Sequence, residues 1–183
     1  MADKKPWIPD YMIKDAKIRW RNFAGREERF NAKGARNFTV FLDQHDSERL
    51  TEMGLNVKTL PVREEGQAPQ DILKVKVNFN GRPPRLVLVT HRGRTQLGEE
   101  EAMILDLSEI KKVDLILSPY HWEMDTGAEG VAVSLKAIYM TIVEDELEME
   151  YGDLPEATGS LRGREYSPFE GEEDATESGV HFQ

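Results

Sequence analysis

The feature that most constrains the fold of this chain is a series of segments in which apolar and polar residues alternate. The clearest runs from Ile72 to Phe79, where Leu73, Val75, Val77 and Phe79 alternate with Lys74, Lys76 and Asn78. This period of two is typical of a β-strand with one buried face. Similar alternation predicts strands at residues 11–21, 38–42, 85–91, 113–122 and 131–143.

The segments between these strands contain turn signals and no pattern of a long helix. Asn80-Gly81 predicts a tight hairpin turn that pairs residues 72–79 with residues 85–91. Asp43 or Asp46 can cap a short helix that runs to about Met53 and stops at Gly54. Residues 99–110 fit either a short helix or a turn. Because no strand–helix–strand rhythm is present, the pattern predicts a mainly β, small antiparallel barrel with one or two short helices.

Charge is divided unevenly along the 183 residues, whose net charge is −10. Residues 144–183 contain 13 acidic and 2 basic residues, whereas residues 1–143 contain 21 acidic and 22 basic ones. The C-terminal segment is also rich in glycine, serine and threonine, and it has too little apolar surface to offset the entropy of ordering. We therefore predict a flexible arm at 1–10, one domain at 11–150 and a disordered acidic tail at 151–183.

The first of two basic stretches lies at residues 17–38, with seven basic and two acidic residues. Aromatic rings are interleaved with the cations, as non-specific binding of single-stranded nucleic acid requires, since cations follow phosphates and rings stack on bases. We expect Trp20 and Phe38 to pack in the core, because they lie on apolar faces. The candidates for DNA contact are Arg19, Arg21, Phe23, Arg26, Arg29, Phe30, Lys33 and Arg36.

The second basic stretch, residues 72–98, contains six basic residues and no acidic one. Surfaces without an electrostatic role usually mix both signs of charge, which favours a role for the set in binding a polyanion. A solvent-exposed face is the alternative for each lysine taken singly. The candidates here are Lys74, Lys76, Phe79, Arg92 and Arg94.

Two further segments indicate binding. In Tyr120-His121-Trp122, neighbouring side chains of a strand point to opposite faces, so at least one ring should be exposed, and Trp122 becomes a candidate for stacking on DNA. In the tail, an acidic run precedes an aromatic residue near the C-terminus and could compete with DNA or bind a partner protein. The tail candidates are Glu172, Glu173, Asp174 and Phe182.

Signals for catalysis are weak. The chain has no cysteine, its four histidines are scattered, and no metal-ligand spacing or nucleophile motif is present. We therefore expect no enzyme activity, cofactor or metal. No apolar run reaches the length of a membrane span and no secretory signal is apparent, so a cytoplasmic protein is expected.

Several segments resemble the single-stranded DNA (ssDNA) binding proteins of tailed bacteriophages. The resemblance lies in residues 21–38, in Leu73–Phe79 followed by Pro83-Pro84, in Val113–Trp122 and in Leu135–Tyr139. It implies an oligonucleotide-binding (OB) fold, a partly open five-stranded barrel that binds DNA across one face. It also implies an acidic tail that recruits replication and recombination proteins, although Gln183 here follows the aromatic Phe182.

The hypothesis from the sequence is non-sequence-specific binding and protection of ssDNA during phage replication or recombination, with a tail that competes with DNA and recruits partners. The alternative is a phage virion or assembly module that binds proteins and no nucleic acid. A nuclease is a third and more distant alternative. Whether the chain forms a homo-oligomer is left open.

Overall fold

A computed structural model describes residues 4–152 and 154 of the chain. Its fold is built mainly from strands. The strands are β1 (Tyr11–Ile13), β2 (Lys17–Asn22), β3 (Arg36–Leu42), β4 (Lys58–Leu60), β5 (Gln70–Val77), β6 (Arg85–Thr90), β7 (Gly93–Leu97), β8 (Ile110–Glu123) and β9 (Glu129–Ile142). The helices are α1 (Gln44–Glu52), α2 (Ile104–Leu107) and α3 (Glu146–Tyr151), with a 3-10 helix at Glu99–Glu101.

The strands form one mixed sheet in the order β1-β8-β9-β5-β3-β2, with β4 beside β5 and the β6–β7 pair beside β9. The end strands β1 and β2 are consecutive in sequence, and between them the Ala16 amide donates to the Val113 carbonyl of β8 at 2.8 Å. The short segment between β1 and β2 therefore joins the two ends of the sheet. The mainly β, OB-like fold class is confirmed; the sheet has more strands than the five expected, and two of its pairings are parallel.

The predicted hairpin between residues 72–79 and 85–91 is wrong. β5 and β6 both run parallel to β9, with Lys76 opposite Ser134 and Arg85 opposite Ala137. The chain therefore continues along β9 past Asn80-Gly81 instead of reversing there. The reversal comes one strand later, where Thr90 of β6 pairs with Gly93 of β7 across the two residues His91 and Arg92.

The core lies on the inner face of this curved sheet. Val40, Val75 and Leu115 have no exposed surface, and burying a side chain of that size contributes about 1.5–3 kcal/mol. The expected burial of Phe38 is confirmed: its ring stacks on that of Phe23 at a centroid distance of 5.3 Å. The alternating segments predicted these inward positions because each inward residue is followed by an outward one.

The predicted helix after β3 is confirmed as α1. The Asp43 carboxylate accepts a hydrogen bond from the Asp46 amide at 2.7 Å, as an N-cap should. Gly54, whose φ is +88°, follows the last residues of the helix, in the left-handed region that favours glycine. Of residues 99–110, the structure forms the 3-10 helix and the single turn of α2.

Beyond β9, the described chain ends in α3. None of the helices in residues 4–152 could span a bilayer, since the longest has nine residues. The tail candidates Glu172, Glu173, Asp174 and Phe182 lie outside the described residues, as does most of the predicted disordered segment.

Candidate nucleic-acid interface

The outer face of the sheet carries basic side chains in rows that cross several strands. Arg19 of β2 lies opposite Thr39 of β3, which lies opposite Lys74 of β5. One row further along β5, Lys76 lies opposite Ser134 of β9. Directly opposed residues share a face, so Arg19, Lys74 and Lys76 form one basic surface across four strands. We call it the sheet face.

Trp20 also lies on the sheet face, which corrects the expectation that it packs in the core. It is 62% exposed, and its ring lies 5.7 Å from that of Phe41. The cause is a β-bulge: Arg19 pairs with Thr39 and Asn22 with Asn37, so β2 has one more residue than β3 over this interval. The extra residue changes the phase of the alternation, and Trp20, with φ of +50°, points outward.

One signal in the sequence could have located this bulge. Ile18 and Phe23 are both apolar, but they are five residues apart, so strict alternation would put them on opposite faces. Both are buried in the structure. Their spacing requires a change of phase between them, and Trp20 lies within that interval.

A groove runs along the sheet face between Trp20 and β9. Its cationic lining residues are Lys58, Lys74 and Lys76, its floor includes Ala132 and Val133, and none of its lining residues within 4–152 and 154 is acidic. No described acidic residue pairs with Lys74 or Lys76. The groove therefore combines an exposed ring with unneutralised positive charge.

At the β8–β9 end of the sheet face lie Tyr120 and Trp122. Tyr120 pairs with Ala132 and Trp122 pairs with Gly130, so both rings are on the same face as the groove. Their exposed fractions are 36% and 37%. The expectation of at least one exposed ring in Tyr120-His121-Trp122 is confirmed, and the structure places candidate Trp122 on the surface with Lys74 and Lys76.

Two candidates from the first basic stretch have structural contacts instead. Phe23 has no exposed surface, so the expectation that it stacks on bases is corrected: a base could reach its ring only by opening the core. Arg21 donates from Nη1 to the carbonyls of Leu105 and Ser108 at 2.7 and 2.8 Å. Burial lowers the pKa of Arg21, and the contacts tie α2 to β2.

Arg36 and Phe79 form a second structural contact. Arg36 donates to the Phe23 carbonyl at 2.6 Å and to the Glu99 carboxylate at 3.1 Å. Its guanidinium lies 4.9 Å from the centroid of the Phe79 ring, within the range of a cation–π interaction. One face of the Arg36 guanidinium thus meets Phe79, its N–H groups are hydrogen-bonded and its side chain is only 19% exposed, so little of this candidate remains for a phosphate.

The loop between β2 and β3 leaves its other candidates at the surface. Phe30 is 88% exposed, and the Arg29 guanidinium lies 5.1 Å from its ring centroid. Lys33 is exposed, and Arg26 lies 3.9 Å from the Asp106 carboxylate. Asp106 also accepts from the amides of Phe23 and Ala24, which holds the start of the loop against α2.

The second basic stretch is divided between two places. Lys74 and Lys76 are on the sheet face, whereas Arg92 and Arg94 belong to the β6–β7 hairpin, which is paired with the other half of β9. Arg92 donates to Glu148 of α3 at 2.9 Å. The neighbouring His91 amide donates to Glu144 at 2.8 Å. Arg94 is exposed on β7.

Comparison with known proteins bears on this arrangement. The family model described as "Putative phage ssDNA-binding domain" matches residues 2–179 of the chain. This chain belongs to that family. A search of the curated proteins finds no significant match.

A solved structure supports the fold of this phage ssDNA-binding domain. The single-stranded DNA-binding protein from bacteriophage Enc34 in complex with ssDNA aligns with a TM-score of 0.50 at 8% identity, over 74% of this chain and 88% of that one. The gp2.5 protein encoded by bacteriophage T7, also a single-stranded DNA binding protein, aligns with a TM-score of 0.40 at 10% identity, over 84% of this chain and 98% of that one.

One group of side chains in the described part of the phage ssDNA-binding domain could bring three metal-ligand atoms together: Asp43, His45 and Asp46. Both carboxylates already have partners. Asp43 caps α1, and Asp46 accepts from the Tyr11 hydroxyl at 2.5 Å. These contacts account for the cluster without an ion.

Proposed function

We propose that the chain binds ssDNA across the sheet face, with little sequence preference, and protects exposed strands during phage DNA replication and recombination. The observation that carries this proposal is the groove beside Trp20, where Lys58, Lys74 and Lys76 converge and no acidic residue of the described chain is among the lining residues. Family membership supports the class of ligand, and the geometry supports the location.

The chemistry of the face fits a single strand. When cations such as Lys74 and Lys76 neutralise phosphates, condensed counterions are released into the solution. This release provides affinity that does not depend on the base sequence. Unpaired bases expose ring faces that stack on aromatic side chains, at roughly 1–3 kcal/mol per base. Trp20 at one end of the face and Trp122 at the other supply such rings. We propose that Arg19 adds a phosphate contact.

The remaining features of the proposal follow from this role. Binding and protection require no bond to be made or broken, so we propose a protein without enzyme activity or cofactor. We also propose that it acts in the cytoplasm of the host cell. Proteins of replication or recombination would be its partners through the acidic tail, and the tail would compete with DNA for the sheet face. The strongly acidic composition of residues 144–183 supports this part.

A salt titration of a labelled poly-dT oligonucleotide tests the site. We expect Lys76→Ala to weaken binding and to reduce the slope of log affinity against log salt by about 0.7, the value for one phosphate contact on a single strand. Arg49→Ala is the matched control, because Arg49 lies on α1 and pairs with Glu52. Absence of binding by the native chain at low salt contradicts the function, whereas equal slopes for the two variants contradict the location.

The same titration on a chain that ends at Tyr151 tests the tail. Removing a like-charged competitor should raise affinity for the oligonucleotide, most strongly at low salt where charge is least screened. Unchanged or weaker binding by the shortened chain would exclude competition by the tail and leave DNA binding by the sheet face unaffected.

A further inference from the structure

We infer that Gly130 is a positioning residue for Trp122, and that together they form a stacking platform for a base at the β8–β9 end of the sheet face. This inference rests on the proposed function and deepens it. It assigns a role to a glycine that carries no functional group, through the ring that lies on it.

The geometry of the pair is specific. Trp122 and Gly130 are directly opposed on β8 and β9. A Cβ atom added to Gly130 would lie 2.8 Å from Cζ2, 2.9 Å from Cε2 and 3.0 Å from Nε1 of the indole. These three atoms are consecutive along the N–H edge of the indole, so this edge of the ring lies over the glycine. Any larger residue at 130 would displace the ring.

Part of the indole is available to a ligand. Trp122 keeps 37% of its surface exposed although its N–H edge lies over Gly130. Tyr120 lies next to it on the same face of the sheet, opposite Ala132. A ring that is held by its contact with a strand is preorganised for stacking, so little side-chain entropy is lost when a base binds.

The alternative is that Trp122 has a structural role alone and stabilises the sheet at Gly130, since an aromatic ring can shield a glycine in a strand. The two roles make different predictions. A purely structural ring would affect unfolding and not DNA affinity. A platform would affect DNA affinity, and Gly130 would act only while Trp122 is present.

The backbone allows a clean test. The φ of Gly130 lies outside the left-handed region, so the backbone permits alanine there, and the three atoms nearest to the added Cβ all belong to the indole. Gly98 is the matched control: its φ is also ordinary, and a Cβ added there would meet nothing within 4 Å. Gly130→Ala and Gly98→Ala therefore make the same chemical change with and without an indole in the way.

The experiment is a double-mutant cycle on binding of a dT oligonucleotide, with Gly130→Ala, Trp122→Ala, their combination and Gly98→Ala. Loss of one stacked base weakens binding roughly 5- to 140-fold, so we expect a loss in this range for Trp122→Ala and a smaller one for Gly130→Ala. The combined variant should bind no more weakly than Trp122→Ala alone, and Gly98→Ala should bind like the native chain.

A spectroscopic arm reports on the ring itself. With Trp7 and Trp20 replaced by phenylalanine, emission comes from Trp122 alone, and we expect saturating oligonucleotide to quench it. Gly130→Ala should shift the emission of the free protein and reduce the quenching. Trp122→Phe with Gly130 intact should retain part of the affinity that Trp122→Ala loses, which keeps the inference testable even if Gly130→Ala does not fold.

Three results would overturn the inference: native affinity in Trp122→Ala, native affinity in a folded Gly130→Ala, or losses that multiply in the combined variant. Each of these leaves the proposed function standing, because the native chain still binds DNA. Failure of the native chain to bind the oligonucleotide at low salt would instead remove the proposed function itself.

Discussion

Two groups of basic residues in this protein differ in what surrounds them. On the sheet face, Lys74 and Lys76 point away from the core and have no described acidic partner. Beside the loop that follows β2, Arg21 donates to the carbonyls of Leu105 and Ser108, and Arg36 donates to the Phe23 carbonyl and to Glu99. The sequence predicts DNA contact for all four.

The difference shows that a count of positive charge does not separate binding cations from structural ones. A guanidinium has five donors in a planar fork and can satisfy several carbonyls at once, which suits Arg21 and Arg36 for closing a gap between elements. A lysine on an outward strand position has no such carbonyls within reach. Its charge stays available to a phosphate.

The β6–β7 hairpin lies between these two extremes. His91 and Arg92 are bound to Glu144 and Glu148, acidic residues at the start of the C-terminal segment. The Arg92–Glu148 pair is exposed, with 49% and 60% of its side-chain surfaces in solvent, so a polyanion could replace the Glu148 carboxylate. The His91 and Glu144 side chains are more buried, at 20% and 14% exposed, which brings their contact nearer to those of Arg21.

The largest effect that would sharpen this comparison is on stability. Arg36→Ala should lower the free energy of unfolding by about 2–4 kcal/mol, because it removes charge-assisted hydrogen bonds to partly buried partners and the contact with Phe79. Lys76→Ala, at an exposed position, should change it by less than about 0.5 kcal/mol. Urea titration of both variants measures the difference; similar values would mean that Arg36 is as free as a surface lysine.

A smaller effect is expected on binding at the sheet face. Trp20→Ala should weaken binding of poly-dT by about 1–3 kcal/mol, since it removes a stacking surface beside Lys74 and Lys76. Phe41→Ala, which removes the ring beneath Trp20, should weaken it less. Anisotropy titrations compare the two. Native affinity in Trp20→Ala would show that its exposure serves something other than DNA.

The smallest effect concerns the contact between His91 of the hairpin and Glu144. The hydrogen bond from His91 holds the pKa of Glu144 below its usual value. A carboxyl pKa depressed by folding gives stabilisation that is present above the unfolded value and is lost as pH falls through the folded one. The protection of the amides of residues 144–151 against hydrogen exchange, taken relative to the intrinsic exchange rate at each pH, should therefore fall as the solution becomes acidic. Glu144→Gln should remove most of this dependence, and an unchanged pH profile in that variant would show that Glu144 is not the group responsible.

Several parts of this protein follow from local patterns. The helix α1 follows from its Asp43 cap and from Gly54, which are adjacent in sequence to what they terminate. The strands β3, β8 and β9 follow from alternation. The exposure of at least one ring in Tyr120-His121-Trp122 also follows, because three successive rings on a strand cannot share a face.

Other parts depend on partners far away in sequence. Trp20 is exposed because β2 has one residue more than β3 between two pairs, and Asn80-Gly81 does not reverse the chain because β6 finds its partner in β9, some fifty residues further on. The local sequence pattern shows neither that β2 pairs with β3 in this register nor that β6 pairs with β9. Arg21 could not be separated from Lys74 for the same reason, since its acceptors lie in α2 and the residue after it.

The sequence by itself determined which segments are strands, that cations and aromatic rings share them, and that acidity is concentrated at the C-terminus. These properties depend on residue type and on spacing within one segment. Only the tertiary structure decided which cations remain unpaired, which rings face outward and which strands adjoin, because these depend on register between strands that the chain brings together from distant positions.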